Sequence, residues 1–100
     1  MSVAEMTVRD NPDEQRFEIT VDGEFAGVAD YRIDDGKVLL PRVEVLPQFE
    51  GQGVGSALVR QALDTIREES WGTVVPMCRF ADVWIKRHPE YQDLVDGSPV

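Results

Sequence analysis

Three glycines alternate along the segment PQFEGQGVGSALV, residues 47–59, immediately before an apolar run with helical spacing. The first N–H groups of a helix have no partner within it, and a Ser, Thr, Asp or Asn side chain usually caps them. The start of this helix has no capping box. Its residues are Gly51, Gln52, Gly53, Val54 and Gly55, followed by Ser56. Open donors flanked by glycine admit an anion close to the backbone. The segment therefore predicts an anion cradle, with a flexible turn that binds nothing as the alternative.

Two familiar phosphate-binding loops do not fit this segment. A P-loop needs Lys and then Ser or Thr after its last glycine, whereas Gly55 is followed by Ser56 and Ala57. The dinucleotide fingerprint needs a third glycine or alanine where Ser56 stands, and it opens a βαβ domain instead of following a meander. A phosphate- or nucleotide-binding domain of another kind stays open as a weaker interpretation.

Cys78 is the one cysteine of the chain and stands between a short apolar strand and a helix. A free cysteine is commonly a small buried apolar residue. A helix N-terminus and the neighbouring Arg79 nevertheless both favour its thiolate form. His88 is the only histidine, but the predicted helix between the two residues separates them by about 12 Å of rise. We therefore expect no Cys–His dyad and interpret His88 as a structural or rim residue.

Alternating apolar residues predict the strands that carry these features. Strands are expected over residues 16–21, 25–33 and 37–45, with a first edge strand over 6–9, and short Asp- and Gly-rich turns join them into an antiparallel meander. Pro41 implies an edge position or a bulge within its strand, since proline cannot donate to the ladder.

After these strands, the spacing of the apolar residues changes from every second residue to nearly every fourth residue. An amphipathic helix is predicted over 54–69 and closed by Gly72, and a buried strand over 73–76 follows it. A second helix is predicted over 80–87, with Phe80 and Trp84 together on its core face, and the tail is expected to pack Tyr91 and Leu94 onto the body. The fold class is thus α/β (α+β): a mixed, mostly antiparallel sheet with one right-handed βαβ unit.

Composition limits the partners of the chain. Its 100 residues suit a single domain, 1–100, and no stretch approaches the ~18 apolar residues of a membrane span. No signal peptide is apparent, so we expect a cytoplasmic protein, in agreement with the single cysteine. The net charge of −9 disfavours nucleic acid and anionic membranes and suits a cationic partner, although acidity alone also serves solubility.

The segment Gln48-x-x-Gly51-x-Gly53, after a strand and before an amphipathic helix, resembles the acyl-coenzyme A signature of the GNAT acetyltransferase superfamily. The stretches 43–59, 74–80 and 86–95 resemble, in the same order, a compact GNAT branch of roughly 100-residue proteins with a cysteine after the last strand. These stretches cover about half of the chain, and residues 21–33 are also similar to the N-terminal half of that family.

The resemblance implies acetyl-CoA as the cofactor and acetyl transfer to an amine as the reaction. It implies that the strands on either side of the helix splay apart around pantetheine, which pairs with the backbone of Val43 to Val45. It also implies that the amides of residues 51–55, with Ser56, hold the pyrophosphate, and that Cys78 lies beside the thioester. Arg79 is a candidate for further contact with the cofactor. Glu50, directly before the first glycine, departs from the basic residue that a pyrophosphate would favour.

Several alternatives stay open at this point. Cys78 is expected to act either as the nucleophile that carries the acetyl group or as the acid that protonates the departing thiolate. Glu44, Glu50 and Tyr31 are candidate bases or amine-site residues, and the sequence does not select among them. A non-catalytic CoA-binding or protein-interaction module on the same fold is the alternative function. The oligomeric state, monomer or weak dimer, is not determined.

Overall fold

A five-stranded sheet forms the centre of the protein, and the computed structural model describes residues 4–95. The elements are β1 (Met6–Asn11), β2 (Arg16–Val21), β3 (Glu24–Asp34), β4 (Lys37–Val45), α1 (Val54–Glu68), β5 (Thr73–Pro76) and α2 (Arg79–Lys86). Short 3₁₀ helices follow β4 (Pro47–Phe49) and α2 (Pro89–Leu94). Every predicted element is present, and the largest difference is that β1 reaches Asn11 instead of ending at residue 9.

The first four strands form the predicted antiparallel meander, in the spatial order β1-β2-β3-β4. The two tight turns around β3 both place an Asp and a Gly at positive φ: Asp22 and Gly23 at 51° and 83°, and Asp35 and Gly36 at 51° and 77°. This is the conformation of a type I′ turn, whose twist matches that of the strands it joins. β5 then adds to β4 in parallel, as predicted for the β4-α1-β5 unit.

The pairing between β4 and β5 ends at two prolines. Lys37–Leu40 pairs with Thr73–Pro76, and a bulge then places Leu40 and Pro41 opposite the single residue Tyr31 of β3. Pro41 and Pro76 both lack an N–H group and cannot extend the ladder. Of the two predicted alternatives for Pro41, an edge position or a bulge, the structure shows the bulge. Beyond it, residues 42–45 of β4 remain paired with β3 alone.

Helix α1 covers one face of the sheet. Its side chains Leu58, Leu63 and Ile66 are fully buried in one cluster with Phe17 and Ile19 of β2. The opposite face of the sheet carries ion pairs, in which Glu18 contacts Arg16 at 2.8 Å and Asp30 contacts Arg42 at 3.0 Å. Within residues 4–95, no helix is long and apolar enough to cross a membrane.

The end of α1 differs from its prediction. Ser70, not Gly72, adopts the left-handed conformation that closes the helix, at φ 53°. The Trp71 amide donates to the Ile66 carbonyl at 3.1 Å and the Ser70 amide to the Arg67 carbonyl at 3.2 Å, which is the Schellman pattern. Gly72 instead lies against the β3–β4 turn, where an added Cβ would stand 2.1 Å from the Gly36 carbonyl oxygen. The prediction that Gly72 closes α1 was therefore wrong. Gly72 instead allows the chain that enters β5 to pack closely against the β3–β4 turn.

The C-terminal segment packs back onto the body of the protein, as predicted, and its main contact is α1. Tyr91 is buried, and Leu94 is half-buried against the same core. The Tyr91 hydroxyl donates to Asp64 at 2.6 Å and accepts from Arg60 at 3.2 Å. Burial, followed by the bond to Asp64, raises the pKa of the Tyr91 hydroxyl. This contact holds the segment that follows α2 beside α1.

Replacing Ser70 by glycine should stabilise the protein by about 0.5–1 kcal/mol, since glycine relieves the left-handed strain that serine bears there. Urea unfolding of the S70G variant measures this gain. Glu69→Gly is the matched control, because Glu69 has an ordinary φ of −90° and glycine there should destabilise. A loss of stability in S70G would contradict the assignment of the helix end.

Candidate functional site

An open cavity of about 480 Å³ lies where β4 separates from β5 and α1 begins. Its walls come from the second half of β4, the glycine turn, the first turn of α1 and the first turn of α2. The lining residues are Val43, Val45, Phe49, Glu50, Gly51, Gly53, Val54, Gly55, Ser56 and Phe80. Gly55 packs against Phe80, and an added Cβ at this position would stand 2.8 Å from the Phe80 ring. A side chain at position 55 would therefore press into the cavity wall.

The glycine turn presents a row of free backbone donors. Gly51 and Gly53 have φ of 80° and 78°, and Gly53 caps α1 without any side-chain hydrogen bond. The first helical bond runs from the Ala57 amide to the Gly53 carbonyl at 3.0 Å. Among residues 4–95, none accepts a hydrogen bond from a backbone N–H group of residues 51–56. These donors, at the positive end of the α1 dipole, form the arrangement that binds phosphate groups.

The free edge of β4 supplies a second set of backbone groups. The Leu46 amide donates to the Ala26 carbonyl of β3 at 2.8 Å. Because alternate residues of an antiparallel strand bond to the same neighbour, Val43 and Val45 turn their N–H and C=O groups away from β3. They therefore face the side that β5 leaves open, and both residues line the cavity. An extended ligand with amide groups could continue the ladder there.

β4 and β5 separate beyond their last pair, Leu40 and Pro76, and we call the opening between them the split. Cys78 lies at the closed end of the split. The Met77 and Cys78 amides both donate to the Leu40 carbonyl, at 3.1 and 3.0 Å, directly after the last β4–β5 pair. Cys78 caps α2 through its carbonyl, which accepts from the Asp82 amide at 2.9 Å, and its side chain is a half-buried free thiol. It is not among the residues that line the cavity, although Phe80, two residues further along, is one of them.

The structure brings together most, but not all, of the predicted site residues. Those that line the cavity are Val43, Val45, Gly51, Gly53, Val54, Gly55 and Ser56. Gln48 and Gln52 do not line it, and the Gln52 side chain instead donates to the Gln48 carbonyl at 3.2 Å. Among the candidate bases only Glu50 lines the cavity, while Glu44 lies 3.8 Å from Arg42.

Tyr31 belongs to another part of the molecule. Its ring packs against Phe17 and Trp71, and its hydroxyl donates to Asp10 at 2.6 Å. Burial and this hydrogen bond raise the pKa of Tyr31 well above its ordinary value. A hydroxyl held in this way is not a base for the cavity.

Phe80 was expected in the core but is 45% exposed. Only Trp84 of that pair is buried, because the Ala81, Trp84 and Ile85 side of α2 faces the core. Phe80 instead lines both the cavity and a second groove beside it. The sequence did contain a signal for this position of Phe80. Phe80 follows Cys78 by only two residues, so it lies close to the place where β4 and β5 separate.

Trp84 forms a hydrogen bond with Ser56, which lines the cavity. Its indole N–H donates to the Ser56 hydroxyl oxygen at 2.8 Å. The Trp84 ring stacks on His88 with centroids 3.7 Å apart, and Nδ1 of His88 lies 2.6 Å from the Trp84 carbonyl oxygen. Because Ser56 accepts from the indole, its own hydroxyl proton remains available to a ligand. His88 thus supports the wall of the site, in keeping with the structural role expected for it.

A second groove of about 680 Å³ continues from the cavity along α2. Ser56 and Phe80 line both spaces. The other residues of the groove are Arg79, Val83, Trp84, Arg87 and His88. Arg79 was expected to contact a cofactor and lies in this groove, outside the first cavity.

The comparison with protein families identifies this architecture. The family model for the GCN5-related N-acetyl-transferase matches residues 16–94, which is most of the chain. The chain belongs to the GCN5-related N-acetyltransferase family. In this GNAT chain the glycine turn, the split strand edge and Cys78 all lie inside the matched region.

A solved structure supports the same fold. The ribosomal-protein-S18-alanine N-acetyltransferase from Escherichia coli superposes with a TM-score of 0.62 at 21% sequence identity. The match covers 74% of this chain and 52% of that one, so the GNAT chain spans about half the length of that enzyme. No curated protein sequence matches it significantly. The likeness establishes the GNAT-like fold, with its mixed sheet and flanking helices.

The bond between Trp84 and Ser56 can be tested without any ligand. In a ¹H–¹⁵N spectrum, Ser56→Ala should shift the indole N–H resonance of Trp84 and speed its exchange with solvent. The Trp71 indole is the internal control, since Trp71 packs against Phe17 and Tyr31 instead. An unmoved Trp84 resonance would contradict the proposed geometry.

Proposed function

We propose that this protein is an N-acetyltransferase that moves an acetyl group from acetyl-CoA to a primary amine. The observation that carries the proposal is one cavity that joins free amides at a helix N-terminus to a free strand edge. Phosphate groups suit the first set of donors, and the amide-bearing pantetheine suits the second. Membership of the GNAT family supports acetyl transfer as the chemistry.

The residues of the cavity take distinct parts in binding the donor. The N–H groups of residues 51–56 and the Ser56 hydroxyl would hold the pyrophosphate, and the backbone of Val43 and Val45 would pair with pantetheine. Gly55 packs closely against the Phe80 ring, so a side chain at this position would clash with the wall of the cavity. With an acidic chain around it, binding would depend on amide donors more than on side-chain charge.

Acetyl-CoA supplies the acetyl group as an activated thioester. Cys78 lies at the closed end of the split, toward which a donor laid along β4 would direct its thioester. There the Cys78 thiolate can take the acetyl group before an amine receives it, or the thiol can give its proton to the departing CoA sulfur. An acceptor with a positive charge, such as a polyamine, a lysine side chain or an N-terminus, suits the net charge of −9.

Replacing Cys78 by alanine should lower kcat at least about a hundredfold, as expected when a nucleophile or proton donor is removed. The Kd for CoA should stay unchanged, because Cys78 does not line the cavity. Acetylation of an amine panel, with calorimetric titration of CoA, measures both. Unchanged turnover would remove the cysteine from the mechanism, and failure of CoA to bind the unaltered protein would overturn the proposed function.

Glu50 should oppose binding of the donor, since it is an exposed carboxylate that lines a cavity proposed for phosphates. Glu50→Gln should tighten CoA binding roughly two- to fivefold at low salt, the size expected of a screened charge interaction. Glu44→Gln is the matched control, because Glu44 lies outside the cavity lining. Weaker CoA binding in E50Q would contradict this prediction, and a large fall in kcat with unchanged CoA binding would instead assign Glu50 to the acceptor.

A further inference from the structure

An open pocket of about 280 Å³ lies on the face of the sheet opposite α1, and three arginines line it. Arg16, Asp30 and Arg42 are direct neighbours across β2, β3 and β4, and Arg32 follows Asp30 by two residues. Side chains two apart on a strand share a face, so the three arginines surround Asp30 on this face. We call this space the arginine pocket, and it shares no lining residue with the cavity beside α1.

Two irregular segments enclose the arginine pocket. The β1–β2 turn contributes Gln15, whose carbonyl accepts from the Tyr31 amide at 2.9 Å, and this bond holds the turn beside β3. Pro41 of the β4 bulge lines the pocket on the other side. The neighbouring Leu40 carbonyl accepts from the Cys78 amide at 3.0 Å. Along the chain, the pocket thus lies one residue from the carbonyl that holds Cys78.

Two of the arginines are oriented by carboxylates but keep donors for a ligand. Arg16 donates from Nε to Glu18 at 2.8 Å, and Arg42 donates from Nε to Asp30 at 3.0 Å. Within residues 4–95, the terminal nitrogens of both make no hydrogen bond, and Nη1 of Arg42 lies 3.8 Å from Glu44, beyond hydrogen-bond reach. Because a guanidinium group carries five N–H donors, these bonds fix the two side chains and leave most of their donors unused.

The charges that line the pocket favour a ligand with one negative charge. Arg32 makes neither an ion pair nor a side-chain hydrogen bond with any residue from 4 to 95. Three arginines stand against two carboxylates, Glu14 and Asp30, which leaves one net positive charge in a protein with a net charge of −9. A phosphate dianion would meet both carboxylates, whereas a planar carboxylate matches the guanidinium fork and balances the single charge.

We infer that the arginine pocket binds the carboxylate group of a small ligand, with Arg32 as its main partner and Arg16 and Arg42 beside it. The inference goes beyond the proposed function, since no residue of the acetyl-donor cavity takes part in it. The carboxylate belongs either to the amine acceptor, bound near the Cys78 end of the split, or to a separate small molecule. In both cases the pocket selects ligands by their carboxylate group.

Titration with acetate, followed through the arginine Nε–Hε and backbone amide resonances, tests the inference. At constant ionic strength, acetate should produce saturable shifts at the arginine pocket, neutral acetamide should produce none, and phosphate should bind at least about threefold more weakly than acetate. Arg32→Gln should weaken acetate binding about three- to tenfold, the range expected for an exposed charge-assisted hydrogen bond. Arg9→Gln is the matched control, because it removes one positive charge from the same face, outside the lining of the pocket.

Acetyl transfer to a panel of amino acids and their C-terminal amides distinguishes the two sources of the carboxylate. If it belongs to the acceptor, the amino acids should have lower KM values than their amides, and R32Q should remove this preference with kcat unchanged. If it belongs to a separate molecule, R32Q should change no KM value while it still weakens acetate binding.

The outcomes separate this inference from the proposed function. Absence of saturable shifts with acetate, phosphate binding as tight as acetate binding, or equal weakening in R9Q would overturn the inference. Absence of acetyl transfer to every amine would overturn the proposed function alone, because the acetate titration does not depend on turnover.

Discussion

The end of the β4–β5 ladder is the constraint on which the rest of the site depends. Pro41 and Pro76 remove one donor from each strand at the same level of the sheet, and the bulge at Leu40–Pro41 turns β4 away from its neighbour. In a continuous sheet, Val43 and Val45 would bond to β5 and the cavity would close. The split leaves polar backbone unpaired at an edge, which proteins otherwise cover or pair. A ligand that forms hydrogen bonds with this edge would satisfy the unpaired backbone groups of Val43 and Val45, and this would contribute to its binding free energy.

The helices maintain the two ends of this opening. α1 begins without a side-chain cap, so its first amides stay directed at the cavity. α2 starts at Cys78, immediately beyond the last β4–β5 pair, and its buried Trp84 reaches back to Ser56 on α1. Tyr91 then fastens the following segment to Asp64. The wall of the site is thus held by two hydrogen bonds from residues of the C-terminal segment to α1.

Much of the fold could be predicted because its signals are local. Alternating apolar residues, Asp-Gly turns and a four-residue period specify the strands and α1, and Pro41 marks the bulge. The glycine turn and the edge residues Val43 and Val45 were also found, although the edge required a family resemblance. The exposure of Phe80, the isolation of Tyr31 and the left-handed Ser70 were missed. Each depends on which neighbours a residue meets in three dimensions, and a short helix such as α2 leaves its buried side ambiguous from sequence alone.

We propose that the free amides of residues 51–56 and the free edge of β4 bind one and the same ligand. Amide chemical shifts recorded during titration with acetyl-CoA and, separately, with acetyl-pantetheine distinguish one shared ligand from two unrelated surfaces. Acetyl-CoA should shift the amides of residues 51–56 together with those of Val43 and Val45. Acetyl-pantetheine, which lacks the pyrophosphate, should shift only the strand-edge amides. Shifts confined to the charged face of the sheet, or unchanged amides in the glycine turn with acetyl-CoA, would contradict it.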